Sequence, residues 1–206
     1  LLKNHEINLK REETGKNPAN GIWFWGQGSP CQLPSFKETF GINGAEISAV
    51  PLLKSLGILL GLKAVPVKGI TGYLDTNYKG KGEAAVKALK QSDFVIVHVE
   101  APDEAGHLGD WQEKITAIER VDKDIIGTIL HGINCNDNLR ILILPDHPTP
   151  VSLRTHTCDP VPFLMYGTGI EPDKINKMGE SIARTSTIFF KDGHELMEYF
   201  LGIVKD

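Results

Sequence analysis

A carboxylate and an imidazole stand four residues apart in the segment DFVIVHVEAPDEAGHLGD, residues 93–110. If a helical turn begins there, Asp103 and His107 project from the same face. The β-branched apolar run before them is typical of a buried strand, so both side chains should lie where that strand ends. One carboxylate and one imidazole begin a divalent-metal site, but two ligands seldom hold a metal.

Further candidate ligands follow a second apolar run, ILILPDHPTP, residues 141–150. That run leads into Asp146 and His147, and His156 precedes another apolar run, VPFLMYG, residues 161–167. Continuous apolar strands separated by helical patterns predict a mainly parallel sheet, and ligands bind outside the carboxyl ends of such strands. We therefore expect the five candidates to converge on one edge of the sheet. They would complete one metal site and part of a second, and paired metals commonly move phosphoryl groups.

Each candidate also has a structural explanation when it is taken alone. An Asp and a His on a surface helix are usually solvated, an Asp-His pair before Pro148 fits turn chemistry, and His156 fits a hydrogen-bonded loop residue. The placement of all three groups beside predicted strands favours the metal site. The other histidines are assigned no ligand role: His5, His98, His131 and His194. Among these, His98 lies inside a predicted strand and could at most support the site from behind its ligands.

The composition is that of a soluble globular domain. The chain has 206 residues, of which 41% are hydrophobic and 23% charged. Its net charge of −4 argues against nucleic acid or an anionic membrane as the main partner, and no apolar run has membrane-spanning length. The three cysteines, Cys31, Cys135 and Cys158, have unrelated spacings, which predicts reduced thiols in a cytoplasmic protein.

Alternating strand and helix patterns predict an α/β fold with layered αβα architecture. Besides the three apolar runs above, strands are predicted at 21–28, 45–50 and 63–67, the last at an edge because of its proline. A loop is predicted at 72–82, and helices at 51–62, 83–91 and 193–204. After His107, one apolar stripe predicts a long helix: Ile115, Ile118, Val121, Ile125, Ile126 and Ile129. Residues 1–19 are polar and are predicted to be a connector, with the metalloenzyme domain at 20–206.

With these motifs, the chain resembles the cofactor-independent phosphoglycerate mutases of the archaeal type, members of the alkaline phosphatase superfamily. The resemblance covers nearly the whole chain and rests on long segments: PANGIWFWGQG, GYLDTNY, VHVEAPDEAGHLGD and LPDHPTPVSLRTHTCDPVPF. It implies an alkaline phosphatase-like core that is incomplete in this chain. By position, Asp103, His107 and His156 match the ligands of one metal, and Asp146 and His147 match two ligands of another. The resemblance implies manganese, with zinc and magnesium as alternatives.

The implied reaction interconverts 3-phosphoglycerate and 2-phosphoglycerate, a step of glycolysis, through a phosphoserine. The substrate is a small phosphorylated carboxylic acid. In the segment KREETGKNPAN, Lys16 matches a substrate-binding lysine, and Arg11 is a weaker candidate for a phosphate contact. A solvated loop lysine remains the alternative interpretation of Lys16.

The chain departs from the family in one important respect. The nucleophilic serine and an aspartate ligand of the second metal belong to an amino-terminal segment that this chain lacks, as does most of the inserted substrate domain. None of its serines matches that motif, so we expect this chain to be the carboxy-terminal part of an isomerase and to be inactive alone.

Other functions stay open on the sequence. The same metal core also fits a phosphatase, a small-molecule kinase such as a homoserine kinase, or a phosphonopyruvate decarboxylase. A non-catalytic metal-binding module is the alternative outside enzymes. The sequence does not determine the oligomeric state.

Overall fold

The computed structural model describes residues 2–24, 26–29, 32–133, 138–173, 175 and 177–202. These form two compact units, Leu1–Leu33 and Pro34–Asp206. The first unit contains helix α1, Glu6–Glu13, inside the stretch predicted to be a connector. Asn8 is buried there, and its polar groups are satisfied because its side chain donates to Leu2 O and Ala19 O and accepts from Ala19 N. The predicted domain boundary at residues 19 and 20 stays a prediction.

The second unit contains a three-stranded parallel sheet. Strand β1 is Gly44–Ile47, β2 is Lys63–Ala64 and β3 is Phe94–Val97, and their order in the sheet is β2-β1-β3. The central strand β1 is buried along its whole length. The predicted α/β class and the edge position of the strand at Lys63 are confirmed, although that strand is only two residues long.

Helices flank this sheet in chain order. They are α2 (Phe36–Phe40), α3 (Pro51–Leu59), α4 (Tyr78–Leu89), α5 (Ala101–Leu108), α6 (Trp111–Arg120), a π-helix (Val121–Ile126) and α7 (Gly127–Gly132). The main core cluster contains Tyr78, Ala101, Ala117 and Ile125. It therefore joins α4, α5, α6 and the π-helix behind the end of β3.

The long helix predicted after His107 is interrupted by the π-helix, and this changes its buried face. Its buried line runs through residues four apart: Ala117, Val121, Ile125 and Ile129. A π-turn is wider than an α-turn, so side chains four apart stay aligned. The expectation that Ile115 and Ile118 belong to the same stripe is wrong, because both are about half exposed.

Strands β4 (Arg140–Ile143) and β5 (Leu164–Gly167) pair antiparallel, in contrast to the parallel arrangement predicted for them. Ile143 pairs with Leu164, so the end of β4 lies beside the start of β5. The connection between them, 144–163, therefore leaves and returns at the same end of the pair. Two short helices follow, α8 (Glu180–Ala183) and α9 (Glu195–Leu201).

Two further predictions need correction. The aromatic segment 21–28 forms no strand in its described residues, and Trp23 and Phe24 are more than four-fifths exposed. The predicted loop 72–82 gives way to α4 at Tyr78, because the Asn77 side chain accepts from Gly80 N and caps the helix.

Across the described part of the chain, no helix has the length and apolarity needed to cross a membrane.

Candidate metal centre

Helix α5 presents Asp103 and His107 on one face, as their spacing predicted. The helix begins at Ala101, shortly after β3 ends at Val97, and Asp103 N donates to Glu100 O at 2.8 Å. One turn later, His107 Nε2 lies 3.3 Å from Asp103 Oδ2. The carboxylate and the imidazole therefore meet at the carboxyl end of the strand.

The connection between β4 and β5 brings two more imidazoles to this point. His156 Nε2 lies 3.4 Å from Asp103 Oδ1 and 3.0 Å from His107 Nε2. The ring of His147 lies 3.8 Å from that of His156, centroid to centroid. One ligand atom each from Asp103, His147 and His156 lies within 4.8 Å of the other two. Four of the five candidate ligands are thus clustered.

The spacing of the donor atoms fits a single divalent ion. With bonds of about 2.1 Å and bond angles of roughly 90° to 110°, ligand atoms around one ion lie about 3.0 to 3.4 Å apart. His107 Nε2 and His156 Nε2 lie 3.0 Å apart, His107 Nε2 lies 3.3 Å from Asp103 Oδ2, and His156 Nε2 lies 3.4 Å from Asp103 Oδ1, so both carboxylate oxygens face the imidazoles. Imidazole nitrogen and carboxylate oxygen are both common ligands of divalent metals.

The orientation of His107 is fixed from outside the cluster. Its Nδ1 lies 3.0 Å from Arg154 O, and a carbonyl oxygen only accepts, so Nδ1 carries the proton and donates. In the tautomer that serves as a metal ligand, Nδ1 carries the proton and Nε2 is the free donor, and here Nε2 faces Asp103. Arg154 is the only non-glycine residue of the described part with a left-handed backbone, φ 56°. Such a conformation is strained and is typical of functional sites.

Thr149 fixes the orientation of Asp103. Its hydroxyl, which is buried, donates a short hydrogen bond to Asp103 Oδ1 and lies 3.4 Å from His147 Nδ1. Lys114 Nζ in turn donates to Thr149 O at 2.7 Å. Sequence reasoning did not assign Thr149, although its position two residues after His147 was the available signal.

Asp146 stands at the rim of the cluster. Its side chain is 73% exposed, and Oδ2 lies 3.2 Å from His147 Nε2. Asp146 Oδ1 also accepts from His147 N at 3.0 Å. Asp146 therefore reaches the cluster through His147 and is the most exposed of the five candidate ligands.

Negative charge accumulates around Glu100, a second residue that sequence reasoning missed. Burial raises the pKa of Glu100, and the nearby carboxylates of Asp103, Glu104 and Asp146 raise it further. Its Oε2 lies 3.2 Å from His98 Nε2. A divalent cation would offset the repulsion among these carboxylates.

The predicted substrate-binding residues lie in the first compact unit. Arg11 is on α1, and its Nε donates to Asn17 O at 2.8 Å. Lys16 follows that helix, is exposed, and donates from its backbone N to Arg11 O. The guanidinium and the ammonium thus belong to one local turn, and their substrate role stays a prediction.

One cysteine falls near the centre in sequence. Cys158 is a free, exposed thiol two residues after His156. Cys31 and Cys135 lie outside the described residues.

Comparison with known families gives a match over most of the chain. Residues 4–193 match the metalloenzyme superfamily. The chain is 48% identical over 201 residues to 2,3-bisphosphoglycerate-independent phosphoglycerate mutase 2 of Methanothermobacter thermautotrophicus, which covers 98% of this chain and 50% of the relative. It is 50% identical over 190 residues to the corresponding mutase of Methanosarcina acetivorans, covering 91% of this chain and 48% of the relative. The chain thus spans about half the length of the curated relatives it matches.

Solved structures agree with this match. A Pyrococcus horikoshii protein superimposes with a TM-score of 0.80 at 30% identity, over 100% of this chain and 54% of that protein. The cofactor-independent phosphoglycerate mutase of Thermoplasma acidophilum superimposes with a TM-score of 0.67 at 26% identity, over 98% of this chain and 47% of the mutase. On the family match, the carboxylate–imidazole cluster and these structural likenesses, the chain belongs to the metalloenzyme superfamily.

Proposed function

We propose that this chain is the metal-binding part of a cofactor-independent phosphoglycerate mutase that interconverts 3-phosphoglycerate and 2-phosphoglycerate. The observation that carries the proposal is the convergence of Asp103, His107 and His156 at separations suited to one ion. The names of the relatives supply the substrate, a small phosphorylated carboxylic acid. The same proposal places the protein in the cytoplasm and in glycolysis.

The proposed ligands fall into two groups. Asp103, His107 and His156 hold one divalent ion, and Asp146 and His147 supply two ligands of a second. Mn²⁺ is the proposed metal, with Zn²⁺ and Mg²⁺ as alternatives. When bound, such ions neutralise negative charge on the phosphoryl group that is transferred. This charge neutralisation is a large part of the catalysis of phosphoryl transfer.

The chain's own residues prepare this centre. Arg154 O keeps the proton of His107 on Nδ1, and Thr149 holds one oxygen of Asp103. Arg11 and Lys16 are proposed to bind the phosphate and carboxylate of the substrate, which suits a guanidinium and an ammonium.

The serine nucleophile of the proposed reaction is assigned to a segment of the longer protein outside these 206 residues. Coverage of only about half of each relative supports this assignment. The 206-residue chain alone is therefore proposed to lack mutase turnover.

The test is conversion of 3-phosphoglycerate to 2-phosphoglycerate by the full-length protein that contains this chain, with Mn²⁺ and without bisphosphoglycerate. Asp103→Ala should abolish turnover, because it removes the carboxylate whose two oxygens lie beside His107 and His156. Asp122→Ala is the matched control, since Asp122 is an exposed aspartate of the π-helix. Release of inorganic phosphate without isomerisation would instead indicate a phosphatase and would contradict the proposal.

Calorimetry tests the ligand assignment separately. His156→Ala should weaken Mn²⁺ binding, and His131→Ala, a histidine of α7, should leave it unchanged. Equal Mn²⁺ affinity in the two variants would remove His156 from the proposed site.

A further inference from the structure

Four polar side chains connect the ends of β1 and β3 to α4 and the start of α5. We name them the β3 polar cluster: Ser48, Lys81, His98 and Glu100. Ser48 Oγ lies 3.4 Å from His98 Nδ1, His98 Nε2 lies 3.2 Å from Glu100 Oε2, and Lys81 Nζ donates to His98 O at 2.7 Å. Ser48 and Lys81 are fully buried, while the side chains of His98 and Glu100 are about one-quarter exposed. None of the four is among the proposed metal ligands.

The hydrogen bonds of this cluster have a defined direction. Val50 N donates to Ser48 Oγ at 3.0 Å, so the Ser48 hydroxyl proton is free to go to His98 Nδ1. His98 Nε2 then carries the ring proton and donates a hydrogen bond to Glu100 Oε2. Burial, with the charge of Lys81 in support, lowers the pKa of His98, which favours the neutral ring that this direction requires.

The backbone of His98 is held on both sides. His98 N donates to Ile47 O at 2.9 Å and so extends the pairing of β3 with β1 by one residue. Its carbonyl lies beyond the strand and accepts from the buried ammonium of Lys81, which takes the place of a ladder partner. A buried carbonyl without a partner is costly, so Lys81 stabilises this backbone position.

Glu100 links the cluster to the metal centre. Its carbonyl accepts from Asp103 N at 2.8 Å and from Glu104 N at 3.2 Å, the first bonds of α5. No side chain caps this end of the helix, and Glu100 occupies the N-cap position. The Glu100 side chain is held by His98 and packs beside Gly72. The direction in which α5 leaves the sheet, and with it the Asp103 carboxylate, therefore depends on how Glu100 is held.

We propose that His98 and Lys81 are positioning residues of the metal centre, which hold Glu100 and thereby aim Asp103 at the ion. Neither residue touches the ion in this arrangement. Both act through the start of α5. The inference rests on the metal centre of the proposed function. It adds residues that position the ligands without contacting the ion.

The test compares Mn²⁺ affinity and thermal unfolding in the full-length protein. His98→Leu removes both ring hydrogen bonds and should weaken Mn²⁺ binding about tenfold, the usual scale for residues that orient ligands. His98→Gln keeps an N–H near the place of Nε2 and should recover most of that loss. His131→Leu is the matched control, since the His131 ring bonds only to Gly127 O within its own helix in the described structure.

The outcomes separate this inference from the proposed function. If wild-type protein binds no Mn²⁺, both fail. If wild type and His98→Leu bind Mn²⁺ equally well while the unfolding temperature of the variant falls, His98 is merely structural and the inference alone fails. If His98→Leu gives no cooperative unfolding transition, Ser48→Ala replaces it, because that variant removes one hydroxyl. It should weaken binding in the same direction, by up to about tenfold, and unchanged binding would overturn the proposal.

Discussion

At the scale of single residues, two of the proposed metal ligands, His107 and Asp103, are oriented by neighbours outside the proposed ligand set. Arg154 O accepts a hydrogen bond from His107 Nδ1 and so keeps a proton on that nitrogen. The Thr149 hydroxyl donates a hydrogen bond to Asp103 Oδ1. Lys81 is the most deeply buried of these supporting groups. Its ammonium has no exposed surface, and burial lowers its pKa from the ordinary 10.5 to about 8, although the charge of Glu100 opposes the shift.

This shift predicts a pH dependence of stability. Between pH 8 and 10.5 the unfolded chain holds the Lys81 proton and the folded chain releases it, so the free energy of unfolding rises with pH in this window. Because the neutral amine still donates to His98 O, the fold keeps this bond. The stability difference between wild type and Lys81→Met should therefore grow in favour of wild type from pH 7.5 to 9.5, measured by urea unfolding. Lys79→Met removes an exposed lysine of the same helix and should show no such growth. A flat difference for Lys81→Met would refute the prediction.

At the scale of elements, α5 is held against the β4–β5 connection by close backbone contact. A Cβ on Gly106 would lie 2.5 Å from Thr149 O, 2.9 Å from Thr149 Cγ2 and 3.0 Å from Lys114 Nζ. No larger side chain fits between this helix and the loop that carries His147. The distance between the two segments that carry the proposed ligands is therefore set by a glycine.

Gly106→Ala should separate these two segments. We expect a loss of about 1 to 3 kcal/mol in the free energy of unfolding, the usual range for overpacking, with weaker Mn²⁺ binding. Urea unfolding and calorimetry measure the two effects. Gly127→Ala is the control, since its Cβ would meet only Asp122 O at an ordinary 3.6 Å. Removal of a helical glycine there should stabilise the protein by about 0.5 to 1 kcal/mol. A Gly106→Ala variant as stable as Gly127→Ala would contradict the packing argument.

At the scale of the whole molecule, metal binding and folding should be coupled. The proposed ligands come from two segments, α5 and the β4–β5 connection, which only the folded chain brings together. An ion bound there stabilises the native state by about 2.7 kcal/mol at a concentration 100 times its Kd. For a chain of this size that corresponds to roughly 5 to 10 °C in Tm.

We therefore expect Mn²⁺ to raise the Tm of the protein and a chelator to reverse the rise. Differential scanning calorimetry over a series of Mn²⁺ concentrations measures it. The shift should shrink in His156→Ala and persist in His131→Ala. Equal shifts in both variants would place the ion elsewhere.

The sequence determined those features that depend on local spacing. Asp103 and His107 share a face because they are four apart in one helix, and apolar runs marked β3, β4 and β5. The α/β class followed from the same alternation. These predictions succeeded because a helical repeat and strand hydrophobicity are properties of neighbouring residues.

Tertiary structure alone decided the partners of these residues. Thr149 and Arg154 reach Asp103 and His107 across 46 and 47 residues of chain, and Lys81 reaches His98 across 17. The antiparallel pairing of β4 with β5 could not be predicted from the sequence, because an apolar run indicates a strand but not the direction of its neighbour. The aromatic segment 21–28 was predicted as a strand from residue types, yet its described residues pair with no sheet. The sequence pattern of a segment indicates the secondary structure that its residues favour. Packing and hydrogen-bond partners that are distant in sequence decide whether the segment adopts that structure.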